Sequence, residues 1–272
     1  MVHAPLITAP GGVPAAPGGP PALLLVAHGS RDPRHAATVT ALTARVRRLL
    51  PGVRVEAGYL DFDVPSVHGA LGRLYAAGVR EVVAVPLLLT RAFHAKTDIP
   101  AVLAEATSAL PDLAVRQAEV LGPHPLLTAA LERRLRAAGL TPGAAPTTGV
   151  VLASAGSSDP EASAVIAEIA REWRRTTGWC AVRPAFASAA QPRTADAVRA
   201  LRADGCHRVA VAPYVLAPGR LPDRIAAGAR ESGADILAPV LGAAPEMARV
   251  VAERYTAVAG GSFFGGRSAV AA

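Results

Sequence analysis

"LLLVAHGSRDP", residues 23–33, returns later in the chain as "VVLASAGSSDP", residues 150–160. Each stretch is an apolar run that stops at a glycine and reaches Asp-Pro within four residues of it. A short apolar run closed by a turn reads as a strand buried on both faces, and a proline just past it suits the first turn of a helix. One offset, 127 residues, carries His28 to Ala155, Tyr59 to Phe186 and Pro86 to Pro213. "PVLGAAP" (239–245) echoes "EVLGPHP" (119–125) after a gap. The chain is an internal duplication.

Working outward, the first copy alternates strands with helices. Strand runs are "LLLVA" (23–27), "VRVEAGYL" (53–60), "EVVAVPLLL" (81–89) and "LAVRQAEVLG" (113–122). Between them lie helical patterns: Val39, Leu42, Val46 and Leu49; then Val67, Leu71 and Leu74; then a helix opened at Thr97. A last helix spans 125–138. Four βα units imply a parallel sheet with helices on both faces. The expectation is two tandem flavodoxin-like α/β domains, each with a four-stranded parallel sheet. They occupy 22–140 and 150–258, joined by a linker at 141–149. Residues 1–21, rich in Pro, Gly and Ala, read as a disordered tail, and 259–272 as a flexible one.

The composition restricts the function classes. The 272 residues are 51% hydrophobic but only 4% aromatic, so Ala, Leu and Val must fill the core. The net charge is +7, with 28 basic residues of which only Lys96 is lysine. These residues are scattered and have no aromatic ladder beside them, which argues against nucleic acid as a partner; the field suits a small polyanion. Cys180 and Cys206 stand far apart in sequence and outside any CxxC pair, so neither a disulfide framework nor a structural zinc site is expected. Nothing resembles a signal peptide or a membrane helix, and the chain reads as cytoplasmic.

In open parallel sheets, ligands bind beyond the carboxyl ends of the strands. His28 follows the first strand, Asp61 the second, and His94 lies shortly after the third. At the 127-residue offset their counterparts are Ala155, Ser188 and Leu221. The second copy keeps the strands and lacks all three polar groups, which favours function over folding for the first set. Two imidazoles and a carboxylate suit a divalent iron, cobalt, nickel, copper or zinc ion and leave coordination positions open; a histidine or carboxylate can also take protons from a substrate. Taken singly, each residue also has an ordinary structural role, Asp61 that of a turn or cap. Ser30 and Arg31, in "HGSRDP", and Lys96 are candidates for binding an anion; Ser30 serves equally as a helix cap. His35, His68 and His207 read as solvated, and His124, in "LGPHP", is a further site candidate.

"LLLVAHGSRDP" with His28, "VVAVPLLLTRAFHAKTDIP" with His94, and the duplicated plan together resemble the sirohydrochlorin chelatase family. These are the class II chelatases of sirohaem and cobalamin synthesis, here in their two-domain form. "PYVLAPGRLPDRI" (213–225) resembles the matching segment of those members. The resemblance implies a lyase that inserts Fe²⁺ or Co²⁺ into a carboxylated tetrapyrrole in the cleft between the domains. It implies His28 and His94 as metal ligands, the metal as substrate, and no permanently bound cofactor. The family usually has a glutamate where this chain has Asp61, a shorter side chain. One chain encloses one cleft, so a monomer suffices. A non-catalytic metal or tetrapyrrole carrier is the alternative. A histidine phosphatase is disfavoured because Ala27, not arginine, precedes His28.

Overall fold

An apolar residue at every position of a strand needs cover on both of its faces. The chain supplies it twice, in a computed structural model that describes residues 19–91 and 97–261. The first half contains β1 (Ala22–Ala27), α1 (Pro33–Leu49), β2 (Val55–Tyr59), α2 (Val67–Ala76), β3 (Glu81–Pro86), α3 (Ile99–Ser108), β4 (Ala114–Gln117) and α4 (Pro125–Ala137). The second contains β5 (Thr148–Ser154), α5 (Pro160–Thr177), β6 (Ala181–Phe186), α6 (Thr194–Ala203), β7 (Arg208–Tyr214), α7 (Arg220–Glu231), β8 (Ile236–Leu237) and α8 (Pro245–Ala259). Both sheets are parallel, in the orders β2-β1-β3-β4 and β6-β5-β7-β8. Each first strand is therefore flanked by the next two, as the flavodoxin-like expectation requires.

Several boundaries differ from the sequence reading. The third strand ends at Pro86, so Leu87–Leu89 leave the sheet and become cavity wall. The helix expected to open at Thr97 is helical there, with Thr97 and Asp98 in π geometry before α3 proper begins at Ile99. Thr148 and Gly149, placed in the linker, belong to β5. Thr148 is fully buried, and its Oγ1 donates to the Ala144 carbonyl at 2.8 Å. Turn-like composition hid them; pairing with β6 and β7 decides their place.

The duplication predicts that each half covers its own sheet. The last helices instead change places. α8 packs on α1, α4 and β3, and α4 packs on β7. One continuous core results, holding Leu23, Leu25 and Val85 of the first sheet with Leu152, Ala212 and Tyr214 of the second. Polar ties follow the exchange. Arg133 of α4 grips Glu246 of α8 through two bonds of 2.9 Å. Arg254 donates to the Val120 carbonyl at 2.8 Å, and the Tyr255 hydroxyl to that of Pro21 at 2.6 Å, so the end of the expected N-terminal tail is fastened.

Arg133 holds the Glu246 carboxyl below the usual carboxylate range. A lowered folded-state pKa contributes stability above the unfolded value of about 4.5, and that stability is lost as pH falls through the folded value. Glu246→Gln is expected to lower Tm at pH 7 by about 2–5 °C, the size of one charge-assisted contact with a partly exposed arginine. The difference from wild type should narrow in melts taken below the unfolded value of about 4.5 and close once pH falls below the lowered folded value.

Candidate active site

The two sheets turn their carboxyl ends toward one cavity of about 720 Å³, lined from both halves. That volume is in the range of small-molecule and cofactor sites. Leu87, Leu89, Ile166, Phe186, Val215 and Leu216 form much of its wall, with polar groups from His28, Ser30, His35, Ser157 and Arg220.

His28 leaves β1 directly into this cavity, half-buried. The turn behind it is tight. Gly29 has φ +94°, and a Cβ there would stand 1.8 Å from the Asp61 carbonyl oxygen. Gly156 repeats this with φ +86° and 2.0 Å to the Ser188 carbonyl oxygen. Asp61 N–H donates to the His28 carbonyl at 2.9 Å, and Ser188 N–H to that of Ala155 at 3.0 Å. The copies thus share this backbone and differ in what it carries.

The other candidates fall as follows. Asp61 is exposed and outside the cavity lining; its Oδ1 accepts from Phe62 N–H at 2.8 Å. Ser30 lines the cavity, but its hydroxyl accepts from Asp32 N–H at 3.1 Å, as Ser157 does from Asp159 N–H in the other copy. The side chain that caps α1 is Asp32, not Ser30. Arg31 sits 5.2 Å from the centre of the exposed Phe62 ring, which stacks toward His28. His124 is away from the cavity: it caps α4 and meets Glu253 of α8 at 2.9 Å. His94 and Lys96 lie outside the described residues. Among the described residues, no group of three or more His, Cys, Asp or Glu side chains could hold a metal ion.

Three residues were missed. His35, read as solvated, is only 15% exposed and lines the cavity beside His28. One helical turn past the Asp32 cap, it faces inward. Burial holds its imidazole below the usual range, and His28 adds to this, while Asp63 opposes it. Asp63 is the carboxylate that points inward from the second strand's loop. It accepts from Ser30 N–H at 2.9 Å and lies 3.8 Å from His35 Nδ1, too far for a hydrogen bond. Ala162 and Ala190 occupy the matching positions in the second copy, a signal open to the same comparison that singled out His28. Tyr214, matching Leu87, lines the cavity with a hydroxyl that has no partner among the described residues, and burial raises its phenol pKa well above the ordinary value.

The mouth is basic. Arg31, Arg220 and Arg224 surround a hollow beside the cavity, and Arg34 bridges the halves by reaching Asp223 at 2.9 Å.

The family model CbiX matches residues 22–138 and again 149–258, so the duplication is two copies of one family unit. The chain belongs to the CbiX family. This CbiX chain is 30% identical to the sirohydrochlorin cobaltochelatase of Priestia megaterium over 206 residues, 75% of the chain and 66% of that protein. It therefore spans about two thirds of that relative's length. It is 26% identical to the sirohydrochlorin ferrochelatase of Bacillus subtilis over 204 residues, 75% of the chain and 77% of that protein. A solved structure of SirB from Bacillus subtilis with Fe3+ shares the CbiX chain's fold, with a TM-score of 0.79 and 24% identity, covering 89% of this chain and 96% of that one.

Proposed function

We propose that this CbiX chain is a sirohydrochlorin chelatase, a lyase that inserts Fe²⁺ or Co²⁺ into the carboxylated macrocycle. The observation that carries the reading is the asymmetry of the cavity. His28, His35 and Asp63 line or adjoin it in the first copy, and Ala155, Ala162 and Ala190 replace them on a matching backbone.

Insertion joins M²⁺ to the macrocycle and releases two pyrrole protons, so the site must deliver a cation and remove protons. His28 presents the metal at a rigid strand end, together with His94, which follows β3 in sequence. Asp61, exposed and bonded through its N–H to the His28 carbonyl, draws the cation in. His35 is kept neutral by burial and takes a pyrrole proton, with the Asp63 charge stabilising the imidazolium that forms. The apolar walls receive the faces of the macrocycle. Arg31, Arg220 and Arg224, beside the cavity, meet its carboxylates. Lys96, which follows β3 in sequence, is a further anion-binding residue in this reading. Both halves of one chain build the cavity, so a monomer in the cytoplasm is the working unit, with the metal as substrate and no resident cofactor. Among the described residues, no helix is long and apolar enough to cross a membrane.

The test is anaerobic. Purified chain, sirohydrochlorin and either Fe²⁺ or Co²⁺ are mixed, and the absorbance change of insertion is followed against an enzyme-free control. Acceleration is expected with at least one metal, and the ratio of rates ranks the two. Tight binding of the macrocycle without acceleration by either metal would refute the enzyme and leave a carrier.

A further inference from the structure

Far apart in sequence, Cys180 and Cys206 meet in space, with their sulfurs 3.5 Å apart. Cys180 precedes β6 and Cys206 precedes β7, the two strands that flank β5. The thiols lie at the amino ends of the strands, opposite the cavity. They meet over the start of β5, where the residue is Gly149. A Cβ at Gly149 would stand 2.8 Å from the Cys206 sulfur, so the glycine makes room for the pair. The first copy supplies the comparison. Its matching residues are Val53, Val79 and Ala22, so there the same corner is apolar, with no thiol.

We propose that Cys180 and Cys206 are a modification site: a dithiol that a small-molecule disulfide oxidises reversibly to an intramolecular disulfide. A disulfide bond of ~2.05 Å requires the sulfurs to approach by about 1.5 Å, within reach of small side-chain rotations. Cys180 is part-exposed and Cys206 is 4% exposed, which fixes the order of events. The Cys180 thiolate attacks the oxidant R–S–S–R, forming Cys180–S–S–R and releasing RS⁻. The Cys206 thiol then loses its proton, and its sulfur attacks that of Cys180, releasing the second RS⁻. Two protein thiols lose two electrons, the oxidant gains them as two thiols, and the protons pass to the released thiolates. Burial first, and then the neighbouring thiol, push the Cys206 pKa up to about 11. Burial persists in the mixed disulfide, so the closing step quickens as pH rises.

The bond would join the starts of β6 and β7 across β5 and enclose β6, α6 and the loops beside them. Closing a loop of this length restricts the unfolded chain, and a Tm increase of about 5–10 °C is expected for the second half. The cavity is at the other end of the sheet, so metal insertion should change by less than twofold.

The experiment uses the full chain with hydroxyethyl disulfide, followed by alkylation, intact mass and a non-reducing gel. The expected product is a monomer lighter by two hydrogens, with no alkylatable thiol, a raised Tm, and full reversal by dithiothreitol. Cys206→Val, which places the first copy's residue there, should stop at a single hydroxyethyl adduct on Cys180. A wild-type chain that keeps both thiols, stops at that same adduct, or forms only disulfide-linked dimers would overturn the proposal. The thiol count needs no variant and no chelatase activity.

Discussion

His28→Ala should reduce metal insertion by about 10²–10⁴-fold, to near the uncatalysed rate, while leaving Tm within about 2 °C of wild type. The chain itself supplies the structural half of this expectation. Ala155 already holds the matching position, and its carbonyl accepts from the loop after β6 at 3.0 Å, as that of His28 accepts from the loop after β2 at 2.9 Å. The backbone thus accommodates alanine there without rearrangement. What the substitution removes is a half-buried imidazole at the cavity wall, so any loss is chemical. The same reasoning makes His35→Ala and Asp63→Ala tolerable to the fold, since Ala162 and Ala190 are their counterparts. The measurements are the insertion rate with each metal and a thermal melt of the same preparation. A variant that inserts metal at half the wild-type rate or better would remove His28 from the mechanism. A collapse in Tm would instead make it a structural residue.

How far the sequence could be read depended on the kind of signal. The sheets were legible because buried parallel strands are apolar at every position, as in "LLLVA", and because each run appears twice. His28 was legible because it ends such a run. Asp63 was not, because "DFDVP" offers two carboxylates two residues apart. The turn that exposes Asp61 and brings Asp63 under Ser30 depends on Phe62 at φ +61°, a backbone setting that side chains rarely adopt. His35 was misread because an amphipathic pattern assigns faces only roughly in a helix's first turn. The dithiol was invisible for a different reason: the cysteines are 26 positions apart, separated by a strand and a crossover helix, and only the sheet order brings their ends together. The helix exchange could not be read at all. α4 and α8 each show one apolar face, and the two sheets present similar surfaces to it, so the pattern demands cover without saying which sheet receives it.

That exchange carries the other large prediction. Removing α8 and all that follows, by a stop at Pro245, should unfold the first half while its own sequence stays intact. Met247, Val250 and Val251 are fully buried and Tyr255 is 3% exposed, all within the core shared with Val39, Leu42 and Val46 of α1 and Val83 and Val85 of β3. At about 1.5–3 kcal/mol per buried large side chain, these four contribute about 6–12 kcal/mol, comparable with the total stability of a domain, about 5–15 kcal/mol. The lost ties to Glu246, Arg254 and Tyr255 deepen the deficit. The second half keeps α4 on β7 only if the chain before it still holds a shape, so weakening there should follow as a smaller effect. Hydrogen exchange read by mass spectrometry separates the two regions. Amides of β1, α1 and β3 should lose protection first and most, ahead of those in β5 and β7. Were each half to cover its own sheet, the order would reverse, and loss beginning in β5 and β7 with β1 still protected would contradict the exchange. A C-terminal truncation is then expected to abolish the proposed metal insertion without touching a single residue of the first copy, because the strand that presents His28 is held from behind by the far end of the chain.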